Sequence, residues 1–336
     1  MENLKQLIAA DLQTDPVIIK LAPSETGASS KQYYLVSGIS DGYPDELFIL
    51  MQAPPDTVSD YLEITRYFER YHIRSPRIFY SNIAHGYIIL ENCGNHTLEI
   101  WLKNAPHGMV ERMYEGAIDL LLAVQTLPPD PSGVVSKRFF DKEKFRFEHD
   151  FHLCQKLITN YFGYTLSGSE KKILDQFYET ISDELSTLPF VFVHRDFQSS
   201  NLIYKKEELV IIDFQDARMG LALYDLVSLI EDVYVTLDKD LKNKLINYYK
   251  SAARSKHIPN PSDQNFSWIY DLTTVQRKLH DAGAFAFCFE NFGNIKYLPY
   301  INTVFQHALD VMSRYTIFSE PYDLLTMISH ANPTKK

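Results

Sequence analysis

The sequence has little of what marks a secreted, membrane-bound or metal-clustered protein. Only three cysteines occur among 336 residues, and the spacing of Cys93, Cys154 and Cys288 indicates neither a disulfide framework nor a zinc cluster. No uninterrupted apolar run approaches the length of a membrane helix. The amino terminus, MENLKQLIAADLQTD, lacks the basic and hydrophobic regions of a secretion signal. We therefore expect a cytoplasmic protein without a membrane partner.

Basic charge is also in short supply. The chain carries 33 lysines and arginines against 43 aspartates and glutamates, a formal net charge of -10. A surface that follows nucleic-acid phosphates normally needs a clustered basic face, so nucleic acid is not an expected partner. The length and a hydrophobic content of 45% suffice for a substantial core in one large or two coupled domains. We expect a globular chain that can be monomeric, with no obligate protein partner.

The first ninety residues have the pattern of short strands. The runs VIIKLAPS, KQYYLVSG, ELFILMQA, RIFYSN and HGYIILEN are rich in β-branched and aromatic residues and are separated by turn-forming residues. One helical stretch interrupts them, VSDYLEITRYFERYHI, with Tyr61, Ile64, Phe68 and Tyr71 at spacings of three and four. The predicted order is strand, strand, strand, helix, strand, strand.

The rest of the chain is predicted to be mainly helical. Long amphipathic patterns cover 109–127, 142–162, 169–185 and 221–235, and helices continue to the carboxyl end. The predicted fold class is α+β, with a small β-rich N-lobe at 1–92, a hinge at 93–97 around Gly94, and a larger helical C-lobe at 98–336. Short strands interrupt the helices near residue 200.

Those strands flank the segment that carries chemistry, FVFVHRDFQSSNLIYKKEELVIIDFQDA at 190–217. HRDFQSSN has the spacing H-R-D, four residues, N of phosphoryl-transferring kinases, and Asp213 follows Asp196 by 17 positions. A loop between the runs FVFV and NLIY directs Asp196 at an incoming hydroxyl. The turn KKEE then folds the chain back and brings Asp213 beside Asn201. Two oxygen ligands of this kind suit Mg²⁺. Each acid alone is also typical of a solvated turn or cap; the conjunction favours catalysis.

Other polar residues of this region have supporting roles in the prediction. His194 is expected to form structural hydrogen bonds, because the base position of the motif belongs to Asp196. Arg195 is expected to pack or pair within the loop. Asp225 lies in the apolar helix GLALYDLVSLI and is interpreted as a brace for the catalytic loop. An ordinary acid at a helix start, favoured by the helix dipole, is the alternative for Asp225.

The segments HRDFQSSNLIY, VIIDFQDA and YDLVSL together resemble the aminoglycoside phosphotransferase and choline kinase superfamily. ILMQAPP and VQRKLHDAGAF are similar to its bacterial branch of anomeric amino-sugar kinases, of the N-acetylmuramate/N-acetylglucosamine type. The resemblance implies a two-lobed, protein-kinase-like fold, ATP and Mg²⁺, and transfer of the γ-phosphoryl group to an anomeric hydroxyl in cell-wall sugar recycling. It also implies that Asp196 is the base, that Asn201 and Asp213 hold the metal, and that backbone groups near Glu91 and Cys93 meet the purine.

The sequence departs from the kinase pattern in two places. The third strand, ELFILMQA, contains no lysine, and the loop ETGASS offers only Gly27 where kinases have a glycine-rich loop. We expect Lys31 to supply the missing cation at the nucleotide phosphates, with Lys20 as the second candidate; solvated strand-edge lysines are the alternative for both. A pseudokinase that binds a nucleotide without transferring phosphate remains a further alternative.

The substrate is less well specified by the residues. Glu148 is a candidate for sugar hydroxyls or an exposed helix carboxylate, and Arg277 either meets a sugar carboxylate or braces its helix in an ion pair. His149 and His152 share a helical face without an evident third ligand, which favours a structural role. The residues are compatible with three functions: a sugar kinase, a kinase for aminoglycosides or choline, and a nucleotide-binding regulator.

Overall fold

The computed structural model describes residues 1–23, 31–39 and 46–331 and divides the chain into two compact units. The first, called the sheet unit, comprises Met1–Thr97 and Leu202–Gln215. The second, called the helical unit, comprises Leu98–Asn201 and Asp216–Lys336. The sheet unit thus includes a segment from the middle of the chain, which a division by sequence position does not anticipate. The loop ETGASS with Gly27 lies outside the described residues.

The described part of the sheet unit contains five strands before residue 97. These are β1 Lys20–Pro23, β2 Gln32–Ser37, β3 Phe48–Gln52, β4 Ile78–Asn82 and β5 Tyr87–Leu90. They form one antiparallel sheet in the order β1-β2-β3-β5-β4. The helix α2, Pro55–Arg70, lies between β3 and β4 in sequence, so the predicted order of strands and helix is confirmed.

A helix that the sequence analysis did not predict, α1 at Glu2–Leu12, packs on this sheet. Its Leu4 and Ile8 are buried in a cluster with side chains of the strands and of the segment before β1, namely Ile19, Val36, Phe48, Leu50, Tyr87 and Ile89. The Tyr87 hydroxyl also donates a hydrogen bond to Asp11 (2.6 Å). Burial of each such aliphatic side chain contributes about 1.5–3 kcal/mol, so tertiary packing explains why this short helix forms.

The hairpin of β7, Leu202–Lys205, and β8, Glu208–Ile211, completes the sheet unit. Its turn is the predicted KKEE, and Lys206 and Glu207 have φ angles of 50° and 66°. Positive φ at both central residues matches the right-handed twist of a two-residue hairpin, although Asn and Gly adopt it more readily. The hairpin is tied to its unit by the bond from the Ile211 N–H to the Arg74 carbonyl (2.9 Å).

Apart from four short 3-10 helices, the helical unit contains the remaining helices and strands of the described residues. These are α3 Leu98–Asn104, α4 His107–Gln125, α5 Lys142–Glu148, a π-helix His149–Tyr161, α6 Gly168–Leu185, β6 Val191–Val193, β9 Arg218–Gly220, α7 Ala222–Ile230, α8 Lys239–Ser255, α9 Phe266–Phe292, α10 Leu298–Met312 and α11 Ser319–Ala331. The pattern at 142–162 predicts one helix, but the chain passes from α to π geometry at Glu148. The α7 helix ends at Ile230, five residues before the predicted end. Among the described residues, no helix combines the length and apolarity needed to cross a membrane.

The long helix α9 runs through the interior of the helical unit and packs against α7, α10 and the π-helix. Charged side chains on it are buried among these neighbours, including Arg277, Lys278 and Asp281. The π-helix approaches α9 so closely at Gly283 that a Cβ atom there would lie 2.2 Å from the carbonyl oxygen of His152. Only glycine permits this contact. The α+β fold class predicted from the sequence is confirmed.

Candidate active site

The loop that follows β6 is hydrogen-bonded to the side chain of Asp225 in α7. The Asp225 carboxylate accepts hydrogen bonds from the backbone N–H groups of His194 (2.6 Å) and Arg195 (2.9 Å). Burial raises the pKa of Asp225 to about 7, against the opposing effect of these two donors. His194 is buried and accepts a hydrogen bond at Nδ1 from the Asp196 N–H (3.2 Å). The predicted contact of Asp225 with the catalytic loop and the structural hydrogen bond predicted for His194 are confirmed.

Asp196 stands on this loop with its side chain 35% exposed. Its Oδ1 accepts a hydrogen bond from Nη2 of Arg277 (2.9 Å). Burial would raise the pKa of Asp196, but the positive charges of Arg277 and Arg195 hold it below its ordinary value. The carboxylate is therefore ionised at neutral pH, as a group that accepts a proton or orients a hydroxyl must be.

Asn201 is held next to Asp196 by the turn that follows the loop. Its Nδ2 donates to the backbone carbonyl of Asp196 (2.9 Å). The same turn, Ser199–Asn201, is anchored because Asp232 accepts hydrogen bonds from the Ser199 N–H (2.8 Å) and hydroxyl (2.5 Å). This hydrogen bond occupies the side-chain nitrogen of Asn201, so the side-chain oxygen is the atom that can bind a cation.

Asp213 lies in the sheet unit, two residues beyond β8, with a φ of 63°. Its carboxylate is 37% exposed and forms an ion pair with the ammonium group of Lys31. The next residue, Phe214, is buried and packs on α2 through Tyr61 and Phe68, with ring centroids 4.6 and 5.0 Å away. The structure therefore brings Asp213 and Lys31 together within one unit. Asn201 belongs to the other unit, so the shared metal role of Asn201 and Asp213 stays a prediction.

Lys31 directly precedes β2 and is 8% exposed. The third strand, β3, contains no lysine, as read from the sequence. Lys20 lies in β1 and is exposed. Tyr33, which the sequence analysis did not single out, shares the environment of Lys31: burial raises its pKa to about 12, with a further contribution from the Asp213 charge.

The end of the segment before the predicted hinge carries an ion-paired carboxylate, Glu91. Glu91 accepts hydrogen bonds from Arg74 (2.7 and 2.8 Å) and from Lys205 (2.7 Å). Burial opposes ionisation, but these donors lower the pKa of Glu91 to about 2. The Glu91 N–H donates to the Arg77 carbonyl (2.8 Å), and Cys93 is buried. The side chain of Glu91 thus stabilises the sheet unit, while the purine contact of this backbone stays a prediction.

Glu148 is not an exposed helix carboxylate, so that alternative is wrong. Its side chain is 0% exposed and accepts hydrogen bonds from Arg195 (2.9 Å) and Gln276 (3.1 Å). Burial raises the pKa of Glu148, but the charges of His280, Arg195 and Lys144 outweigh it and lower the pKa to about 2. Arg195 is therefore paired, though with a residue outside its own loop. A sugar contact of Glu148 stays a prediction.

Arg277 forms the ion pair that the sequence analysis gave as its alternative role. Its Nε lies 3.0 Å from Oδ1 of Asp281, one turn further along α9. The guanidinium also donates to the Asp196 carboxylate, to the Arg195 carbonyl (2.7 Å) and to the Tyr224 hydroxyl (3.2 Å). Its side chain is 2% exposed. A direct contact of Arg277 with a sugar stays a prediction.

His149 has neighbours that the sequence analysis overlooked. His149, Asp150 and Cys154 carry ligand-type atoms within 4.8 Å of one another. Arg146 donates to Asp150 (3.3 Å) and to Asp175 (3.0 Å) at the same place, so a guanidinium already balances the carboxylates. The arrangement is that of a structural ion-pair cluster.

Asp281 and Asp232 are the supporting residues that sequence reasoning missed. The spacing of Arg277 and Asp281 by four residues on a helix is a recognised signal for an ion pair and was available in the sequence. No comparable signal links Asp232 to Ser199, because these residues are 33 positions apart and meet only in the folded chain.

The loop, its acidic residues and the α+β architecture define a phosphotransferase. The model of the phosphotransferase enzyme family matches residues 20–259, and the chain belongs to this family.

Two curated relatives are named N-acetylmuramate/N-acetylglucosamine kinase. The protein of Neisseria meningitidis serogroup B is 28% identical, over 87% of this chain and 86% of its own length. The protein of Pseudomonas aeruginosa is 27% identical, over 97% of this chain and 93% of its own length.

Solved structures support the kinase-like fold. An aminoglycoside phosphotransferase bound to ADP superposes with a TM-score of 0.62 at 14% identity, covering 90% of this chain and 96% of its own. Choline kinase from Cryptosporidium parvum also superposes with a TM-score of 0.62 at 14% identity, covering 97% of this chain and 100% of its own. The predicted resemblance and kinase-like fold are confirmed.

Proposed function

We propose that this chain is an ATP-dependent sugar kinase. It transfers the γ-phosphoryl group to the anomeric hydroxyl of N-acetylmuramate or N-acetylglucosamine, in the reuse of cell-wall sugars. The observation that carries the phosphotransferase part is Asp196: an ionised, partly exposed carboxylate held by Arg277, with Asn201 bonded to its backbone. The names of the curated relatives, which match over most of the chain, support the sugar.

In this proposal Asp196 accepts a hydrogen bond from the sugar hydroxyl and orients its oxygen for attack on the γ-phosphorus. Phosphoryl transfer depends mainly on positioning and charge neutralisation rather than on covalent chemistry of the protein. A carboxylate with a low pKa is a weak base, which suits an orienting role with proton transfer late in the reaction.

Asn201 and Asp213 are the proposed ligands of the Mg²⁺ that accompanies the nucleotide. Their oxygens are the donor type that Mg²⁺ prefers, and the Asp213 carboxylate is exposed enough to bind a cation. The ion supplies charge neutralisation at the phosphates when bound. Lys31, which pairs with Asp213, is the proposed protein cation for the same phosphates. Backbone groups near Glu91 and Cys93 are proposed to contact the purine.

A phosphate-transfer screen tests this proposal. The purified protein is supplied with ATP and Mg²⁺, and transfer to N-acetylmuramate, N-acetylglucosamine, choline and kanamycin is measured. Phosphorus NMR of the product then identifies the phosphorylated hydroxyl. We expect a phosphate at the anomeric position of one or both sugars. Transfer only to choline or kanamycin would replace the sugar by a cationic alcohol, and nucleotide binding without any transfer would assign a pseudokinase.

A further inference from the structure

The guanidinium of Arg277 lies where it can control the catalytic loop. Its side chain is 2% exposed, and its donors meet Oδ1 of Asp196 (2.9 Å), the carbonyl oxygen of Arg195 (2.7 Å) and the hydroxyl of Tyr224 (3.2 Å). The planar fork of arginine fixes the directions of its donors relative to one another. One rigid group therefore sets the position of the loop backbone and of the Asp196 carboxylate together.

The loop needs such a restraint at Arg195. This residue has a φ of 78°, in the left-handed region that costs a non-glycine residue roughly 1–2 kcal/mol. Asp225 binds the N–H groups of His194 and Arg195 on one side of the loop, and Arg277 binds the carbonyl of Arg195. The strained residue is thus held at both its N–H and its carbonyl, as strained functional residues generally are.

Asp281 in turn compensates the charge of Arg277. Its carboxylate oxygen lies 3.0 Å from Nε of Arg277, as an ion pair without the geometry of a hydrogen bond, and its own side chain is 5% exposed. A buried guanidinium is stable only when its charge is paired, so this contact helps to keep Arg277 in the interior. The result is a continuous chain of charges from Asp281 through Arg277 to Asp196.

The geometry at Asp196 leaves it able to act on a substrate. Arg277 binds Oδ1, and the side chain is 35% exposed. The second carboxylate oxygen, Oδ2, is then the atom that receives the substrate hydroxyl. Without Arg277 the carboxylate would be free to rotate, and a displacement of about 1 Å in a reacting group can cost about 10²-fold in rate.

We propose that Arg277 is a positioning residue for phosphoryl transfer, which acts by holding Asp196 and the Arg195 carbonyl, and that Asp281 compensates its charge. The inference rests on the proposed role of Asp196. It assigns Arg277 to the catalytic base rather than to the sugar.

Steady-state kinetics of Arg277→Met separates the two roles. We expect kcat to fall by about 10²-fold, with the KM values for sugar and ATP changing by less than about threefold, because the lost interaction orients a reacting group and does not bind substrate. Arg277→Lys keeps the charge without the fork and should recover only part of kcat. A raised KM for the sugar at unchanged kcat would overturn the proposal and assign a direct substrate contact.

A double-mutant cycle tests whether the effect passes through Asp196. In an Asp196→Asn background, Arg277→Met should lower kcat by less than about threefold, because residues that act as a unit are not additive. A full 10²-fold loss in that background would show that Arg277 acts independently of Asp196. Millimolar guanidinium should also restore part of kcat to Arg277→Ala but none to Asp196→Asn; absence of rescue in a folded Arg277→Ala would count against the positioning role.

Control measurements distinguish a loss of positioning by Arg277 from misfolding and from a failure of the proposed function. Arg314→Met removes an exposed arginine, two residues after the end of α10, that pairs with Asp271 (3.2 Å), and it should leave kcat unchanged. Circular dichroism and nucleotide binding establish that each variant is folded. Should Arg277→Met not fold, Asp281→Asn keeps the guanidinium and is expected to lower kcat in the same selective way; unchanged kcat there would overturn the role of Asp281. A wild-type protein without transfer contradicts the proposed function, whereas active wild type with unaffected variants contradicts only this inference.

Discussion

At the scale of single residues, Asp196 carries the reaction in our proposal. Asp196→Asn preserves the shape of the side chain and removes the proton acceptor. We expect kcat to fall at least about 10²-fold, while the nucleotide dissociation constant changes little, because the base is not a nucleotide ligand. Turnover and nucleotide titration of the same preparation provide the measurement. Near-normal turnover in this variant would remove Asp196 from the base position.

Lys31 is the residue that we expect to replace the lysine missing from β3. Its pairing with Asp213 places it beside a proposed metal ligand. Lys31→Met should raise the KM for ATP and lower kcat, each by about tenfold, since a charge-assisted contact to phosphate contributes roughly 1.5–3 kcal/mol. Lys20→Met, at an exposed position of β1, is the matched control and should have a smaller effect. A larger loss in the Lys20 variant would transfer the role to that residue.

At the scale of elements, the helix α7 stabilises the loop after β6 through one carboxylate. Asp225→Asn leaves only one acceptor oxygen for the two N–H groups that the carboxylate binds. We expect the free energy of unfolding to fall by about 2 kcal/mol, since a buried N–H group left without an acceptor costs about 1–3 kcal/mol. Turnover should decrease with it.

Asp240→Asn is the control for Asp225→Asn. Asp240 also lies in the first turn of a helix, α8, but is exposed. If Asp225 stabilised the protein only through the helix dipole, both substitutions would lower the free energy of unfolding by a similar amount. That amount would be roughly 0.3–1 kcal/mol, as for an exposed carboxylate in the first turn of a helix. Equal losses in chemical denaturation would therefore contradict the brace.

At the scale of the whole molecule, each unit contains a carboxylate with a pKa of about 2, namely Glu91 in the sheet unit and Glu148 in the helical unit. A pKa lowered by folding stabilises the protein above the ordinary value of 4.5, and this contribution is lost as the pH falls toward 2. Both units should thus weaken over the same acidic range.

Glu148→Gln measures this contribution in the helical unit. The lowered pKa of Glu148 corresponds to a contribution of about 3 kcal/mol to the free energy of unfolding at neutral pH. We expect a large drop in melting temperature relative to wild type at pH 7, and a much smaller difference at pH 3. Glu143→Gln, an exposed carboxylate of the same helix, provides the comparison. A difference between wild type and Glu148→Gln that does not depend on pH would show that packing, and not charge, explains the loss.

What the sequence predicted follows from local patterns. The order of strands and helix along the first ninety residues and the hairpin after Asn201 depend on spacings of a few residues, which periodicity and turn chemistry report directly. The contact of Asp225 was predicted from an acid within an apolar helix, although the N–H groups that it binds lie 31 and 30 positions away. The burial of Glu148 was not predictable, because KFRFEHDFHLC mixes charged and aromatic residues on every face of a helix. The contact of Arg277 with Asp196 joins residues 81 positions apart, and no local rule reports it. Buried charge pairs between distant segments, unlike the local pair of Arg277 with Asp281, thus depend on the tertiary fold.

The buried chain from Asp281 to Asp196 also constrains how this family can change over time. A relative that loses the carboxylate at the position of Asp281 would retain a buried guanidinium without its anchor, which is costly, whereas exchange of both residues for apolar ones is tolerated in other proteins. We expect the two positions to vary together across descendants of a common ancestor. Lineages in which both have been replaced are expected to orient their catalytic carboxylate by a different donor, or to have given up turnover altogether.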